Sequence, residues 1–199
     1  MSVSQIIVNS QLSRYPDGDM AVAGMGVAMK VVTITGMVCM GLGQGVQPLL
    51  GYCVGARLWE RFKQALRFSL LFSLALGVAL TLVCYLFTNQ IVGMFLTDPR
   101  AYAYGVDFSH ILFTTSFLFG VFYVLINTLQ AMGAATPTLI INLSRQGIVF
   151  IPTLFILQAA LGITGLVWAQ PAADLLSIGL AVALYVHVSR NMTALPLEP

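Results

Sequence analysis

An all-α bundle of about five full membrane-spanning helices is what this sequence predicts, on three observations. Hydrophobic residues make up 58% of the 199 positions and charged residues only 8%, against roughly 25% charged in a typical globular protein. Several stretches reach the ~20 apolar residues that a bilayer core asks of a helix, and Phe68 to Phe87 does so without one Asp, Glu, Lys or Arg. Turn residues divide those stretches at short intervals, so neighbouring helices run antiparallel.

Residues 1 to 14 read as the tail of a preceding helix. Their opening, Met1-Ser2-Val3-Ser4-Gln5, has neither a basic region nor a cleavage motif and reads as an abrupt start rather than a signal peptide. Tyr15-Pro16-Asp17-Gly18-Asp19 is turn chemistry. The first full span is placed at 21 to 53, and ~33 residues at 1.5 Å each reach about 50 Å, so it must tilt, bend or protrude. Within Gly43-Gln44-Gly45-Val46-Gln47-Pro48, the proline removes a backbone donor and favours a kink, while the glycines permit close packing or local unwinding. The remaining spans are placed at 64 to 88, 104 to 132, 138 to 161 and 163 to 189. The breaks before them are Gly55-Ala56-Arg57 to Lys63, Thr97-Asp98-Pro99-Arg100, Gly133-Ala134-Ala135-Thr136-Pro137 and Leu161-Gly162. Residues 15 to 190 therefore form one lobe, and 191 to 199 a tail.

Orientation follows from the basic residues, which are retained on the cytoplasmic side. Arg57, Arg61, Lys63 and Arg67 crowd the turn between the first two full spans, and Arg190 follows the last. The alternate loops carry only Arg14 and Arg100, each near an aspartate. The basic turn and the C-terminus are thus cytoplasmic, and the four spans between them return the chain to the same side.

The composition also excludes function classes. A net charge of +2 with no basic arm does not suggest nucleic acid. Cys39, Cys53 and Cys84 stand in or beside apolar runs without metal-ligand spacing and read as small hydrophobes. With His110 and His187 as the only histidines, and no His-Glu-x-x-His, nucleophile elbow or phosphate-binding glycine loop, neither an enzyme nor a metal or cofactor is expected.

Two helical faces carry the polar residues. Gly26, Met29, Thr33, Met37, Met40, Gln44 and Gln47 recur at steps of three and four on the first full span. Methionines re-pack around ligands of different shape, so this face lines a substrate cavity or fills a helix contact with flexible side chains. Ser109, Ser116, Gly120, Tyr123, Asn127 and Gln130 form a second stripe, which packs on a neighbouring helix or lines an aqueous path. Asp107 and His110, three apart, form a solvated cap at a helix start or share a proton. Arg145 and Asp174 are the strongest signals, because an ionised group within a span costs several kcal/mol unless paired or hydrated. On adjacent helices they make an intramembrane ion pair, structural or part of an ion pathway. Lys30 is shallower and snorkels toward the outer headgroups.

These residues resemble a known family. Gly41-Leu42-Gly43-Gln44-Gly45-Val46-Gln47-Pro48-Leu49-Leu50-Gly51-Tyr52, followed by Gly55-Ala56-Arg57, is similar to the second helix of a half in the MATE multidrug and toxic compound extrusion transporters. Leu129-Gln130-Ala131-Met132-Gly133 resembles the end of a fourth helix, Ser144-Arg145-Gln146 with Pro152 a fifth, and Gly162-x-x-Gly165 with Gln170-Pro171-x-x-Asp174 a sixth. The order holds over nearly the whole chain and looks closest to the MepA-like bacterial branch.

The resemblance implies a twelve-helix transporter of two six-helix lobes, exchanging proton or sodium for organic cations and other amphipathic drugs across the bacterial inner membrane. This chain then corresponds to the C-terminal lobe with its first helix truncated, and its partners are the lipid bilayer, the drugs, the coupling ion and an N-terminal lobe. A coupling aspartate that many relatives carry on their first helix lies outside it. Another branch carries an acidic cation ligand on the tenth helix, where this chain has Phe119. The same architecture serves lipid-linked oligosaccharide flippases, and a lone lobe can also persist without transporting.

Overall fold

The computed structural model describes residues 3–193, and every regular element among them is helical. Helix α1 (Val3–Leu12) precedes the turn at residues 13–17 and the 38-residue α2 (Gly18–Gly55). Helix α2 is unbroken, about 57 Å at 1.5 Å per residue. It continues through Pro48 without unwinding, and of the two glycines of the Gly43-Gln44-Gly45 segment only Gly43 packs closely, Gly45 having nothing within 4 Å. At Gly43 an added Cβ would stand 2.7 Å from Asn127 Nδ2 on the facing helix.

Helix α3 (Trp59–Leu86) ends two residues short of the expected boundary, and a separate short helix α4 (Thr88–Phe95) follows. Thr88 turns the chain there, its hydroxyl donating to the carbonyls of Cys84 at 2.7 Å and Tyr85 at 2.9 Å.

The span expected at 104 to 132 is two helices, α5 (Pro99–Ser116) and α6 (Phe119–Ala131), bent by 46°. Thr114 and Ser116 lie just before the bend, and their hydroxyls donate to the carbonyls of His110 and Leu112. Such bonds onto the preceding turn bend helices. Helix α5 begins well before residue 104 because Asp98 caps it, its carboxylate accepting from the backbone N–H of Arg100 at 2.8 Å and Ala101 at 3.2 Å. Asp98→Ala is expected to cost about 1 kcal/mol, read as a lowered melting temperature in detergent.

The last two expected spans meet at a reversal. Helix α7 (Ala135–Leu143) leads through a π-helical turn (Ser144–Ile148) into α8 (Phe150–Thr193). Gly162 interrupts α8 at φ 63°, ψ −132°, a conformation that L side chains rarely adopt. The chain folds back on itself there. Arg145 and Asp174, 29 residues apart, bond at 2.8 Å, whereas a straight helix would hold them about 43 Å apart. Close approach of Gly165 to the Leu157 carbonyl completes the hairpin. By length and composition three helices can cross a membrane, or four with the bent pair counted as one. The hairpin at Gly162 divides the longest of these into two arms.

Helix α2 is the centre of the bundle, packed on α3, α5 and α6. One apolar core joins Leu12, Met25, Phe108, Phe150 and Leu166. A second, at one end, joins Leu50, Cys53, Phe62 and Met132 with Tyr185 and Val188, so the basic turn and the last helix's C-terminal portion lie together. At another turn Arg100 pairs with Asp17 at 3.2 Å. Residues 194–199, most of the expected tail, and residues 1–2 lie outside the described residues.

Candidate functional site

The stripe on α2 faces outward along a concave side of the bundle. Met37 is 66% exposed and Met40 41%, and Gly26, Thr33 and Gln44 are exposed, with Met29 and Gln47 half-buried. A methionine at 66% exposure is not filling a contact within the lobe. Met29, Thr33, Met37 and Met40 instead line a cavity of about 330 Å³ with Gln5 and Val8 of α1, Phe119 and Tyr123 of α6, Arg145, and Gln170 of α8. A second cavity of about 470 Å³ shares Gln5, Val8, Met29, Thr33 and Met37 and adds Gly26, Lys30 and Phe95. Gln44 and Gln47 lie beyond both. Lys30 stands with its ammonium 5.9 Å from the Phe95 ring.

Arg145 and Asp174 form an ion pair at the inner wall. Nε donates to Asp174 Oδ1 at 2.8 Å, and the side chains are 16% and 2% exposed. The π-helical turn carries Arg145 and the second arm of α8 carries Asp174, so the pair ties the two arms of the hairpin together. Three rings surround the guanidinium: Phe122 at 4.8 Å, Phe119 at 5.0 Å and Tyr123 at 6.0 Å from ring centre to Cζ. Desolvated contacts of this kind contribute up to about 2 kcal/mol. The aromatic surround is what sequence reasoning missed, because a phenylalanine in an apolar helix carries no mark of what it faces.

The second polar stripe is mostly packing. Ser109 and Ser116 are buried and donate to the carbonyls of Gly105 and Leu112. Gly120 abuts the Ser73 backbone of α3, and Asn127, 5% exposed, donates to the Tyr123 carbonyl at 2.8 Å where α6 meets Gly43. Among the stripe's residues only Tyr123 reaches the first cavity, and Gln130 is exposed at the end of α6. Asp107 is exposed in the third turn of α5, not at its start, and His110 stacks on Tyr85 at 4.6 Å. The described residues contain no cluster of three metal-ligating side chains.

A bundle of long apolar helices with an ion pair buried inside it belongs to the class of multi-pass membrane proteins. The family model MatE matches residues 1–156, and the chain belongs to that family. It is 28% identical over 97% of its length to the multidrug export protein MepA of Staphylococcus haemolyticus, and 28% identical over 96% to MepA of Staphylococcus aureus. The chain spans 42% and 41% of the length of these relatives. Among solved structures, the MATE transporter VcmN of Vibrio cholerae shares the fold at a TM-score of 0.85 with 17% identity, covering 95% of this chain and 43% of that one. The MATE multidrug transporter DinF-BH has a TM-score of 0.77 at 32% identity, covering 96% and 42%.

Proposed function

We propose that this chain is the C-terminal lobe of a multidrug efflux antiporter of the bacterial inner membrane, which exchanges proton or sodium for organic cations and other amphipathic drugs. The supporting observation is the exposed stripe of Met29, Thr33, Met37 and Met40 along two adjoining cavities. Flexible, polarizable side chains on an open concave face suit ligands of varied shape. The chain supplies one wall of the central cavity and an N-terminal lobe the other. Rocking of the two bundles exposes the cavity to each side in turn. The basic turn and the C-terminus face the cytoplasm. Arg145 and Asp174 hold the hairpin that backs the cavity, and they are the lobe's candidates for ion coupling.

Efflux of ethidium from drug-sensitive bacterial cells tests this. The chain co-expressed with the N-terminal half of a staphylococcal MepA is expected to give energy-dependent efflux, abolished by Thr33→Trp, and the chain alone none. Efflux from the chain alone would overturn the half-transporter reading. Turnover of a polyprenyl-linked sugar without drug efflux would replace it with a flippase.

A further inference from the structure

We infer that the exposed face of α3 holds an anionic phospholipid of the leaflet that meets the basic turn, its phosphate between Arg61 and Arg67 and its acyl chains along Phe68, Leu71 and Phe72. Helix α3 lines neither cavity, so this site lies apart from the proposed drug path and stands whether or not the lobe transports.

The two faces of α3 carry the inference. Phe62, Leu66, Ser69, Ser73 and Gly77 are buried on the side that meets the bundle. The opposite side is bare, with Phe68 70% exposed and Leu71 63%. There the Phe68 and Phe72 rings stack at 6.1 Å and 12°. Arg61, Gln64 and Arg67 continue that bare side toward the start of the helix, all three exposed. Steps of three residues spread them over about 120° of the helix and about 9 Å of its length, centred on a line that runs down to Leu71.

A basic turn is ordinarily no more than a hydrated face, and the place and pairing of these two arginines set them apart. Arg67 is eight residues into α3, about 12 Å along it, and the next residue is the exposed Phe68. Its guanidinium therefore lies where headgroups meet hydrocarbon, with the stem along apolar surface. Neither Arg61 nor Arg67 has a carboxylate partner among the described residues, whereas Lys63 has Glu60 at 3.2 Å, which engages the only acid of the turn. A lipid phosphate supplies the missing countercharge. The planar fork of an arginine matches a phosphate with two parallel bonds, and the Gln64 amide between the two arginines adds a donor. An anionic headgroup fits this pair better than a zwitterionic one, whose own cation would stand beside two guanidiniums. Each basic residue near the surface favours anionic lipid about fivefold.

Quenching by brominated lipid tests this. The chain's two tryptophans are replaced by Trp59→Phe and Trp168→Phe, and a single reporter is placed on the exposed face of α3. Leu71→Trp stands beside the arginines, and Leu82→Trp toward the other end of the helix is the control. Each is reconstituted in phosphatidylcholine vesicles that contain dibromo-acyl phosphatidylglycerol or dibromo-acyl phosphatidylcholine. At Leu71→Trp phosphatidylglycerol is expected to be favoured at least about fivefold, the effect of one basic residue, and at Leu82→Trp the two lipids are expected to compete equally. Arg61→Gln with Arg67→Gln is expected to bring the ratio at Leu71→Trp to about one; both side chains are exposed, so the fold does not depend on them. Glu60→Gln with Lys63→Gln, which removes one charge of each sign, is expected to leave the ratio within about twofold. Equal competition at Leu71→Trp overturns the inference. An equal preference for phosphatidylglycerol at both reporters overturns the site in favour of a general attraction to surface charge. A preference that survives Arg61→Gln with Arg67→Gln overturns the assignment to these arginines. Absence of quenching at Leu71→Trp by either lipid shows that protein covers the face, a second copy or the other lobe, and overturns the inference as well. Each of these outcomes leaves the drug-cavity reading untouched.

Discussion

Arg145→Ala and Asp174→Ala are each expected to cost about 3–5 kcal/mol of stability, because each leaves a buried charge without its partner. Asp174 is 2% exposed, and its bond to Arg145 spans the two arms of the hairpin at Gly162. Losing it removes both the compensation of the charge and a cross-tie between helices. Arg145→Ala also removes the cation from Phe119, Phe122 and Tyr123. The double substitution Arg145→Met with Asp174→Leu is expected to recover most of the loss, since exchanging a whole buried pair for apolar groups is often neutral. Thermal unfolding in detergent reads all three. Single variants that melt with the unsubstituted chain would show that the pair is hydrated and not a buried strut.

Gly77→Val and Gly120→Val are expected to be nearly as damaging. Helix α3 crosses the bend between α5 and α6 at a pair of reciprocal close approaches. A Cβ on Gly77 would meet the Phe117 carbonyl oxygen, and one on Gly120 the Ser73 carbonyl oxygen. Both obstacles are backbone, so relief requires the helices to separate rather than a side chain to turn. Overpacking a core costs about 1–3 kcal/mol where side chains yield, and a backbone obstacle places these variants at or above the top of that range. Gly179→Ala is the control, with nothing within 4 Å of the added atom; it is expected to be neutral or to stabilise by up to about 1 kcal/mol. Equal melting temperatures for Gly120→Val and Gly179→Ala would contradict the crossing.

Chemistry that is rare in hydrocarbon was the legible part of this sequence. Arg145 and Asp174 are conspicuous because little else in their spans is charged, and adjacent helices with a reversal at Leu161-Gly162 can bring them together. Apolar runs and turn residues also pointed to the neighbourhood of the turns at residues 13–17, 56–58, 96–98 and 132–134, but the helices after them begin three to five residues earlier than expected. Periodicity alone cannot say what a face meets. It placed Tyr123 and Asn127 on one stripe, yet Tyr123 reaches the cavity while Asn127 is wedged between α2 and α6. The bend at 117–118 was hidden because Thr114 and Ser116 still fit an apolar helix, and their effect on its axis depends on hydroxyl bonds to the preceding turn. Pro48 does not end α2, which continues through it to Gly55.

Labelling by a membrane-impermeant maleimide at two exposed positions tests the central claim, that polar α2 lines an aqueous cavity while the rest of the bundle meets lipid. In a background with Cys39, Cys53 and Cys84 replaced by alanine, Thr33→Cys on the concave face and Phe72→Cys on α3 are compared in native membranes. Both positions are open in the lobe, Phe72 at 50%. Thr33→Cys is expected to label and Phe72→Cys to remain unmodified until detergent is added. Equal labelling of both, or labelling of Phe72→Cys alone, would contradict the placement of these helices in a bilayer around a water-filled transport cavity.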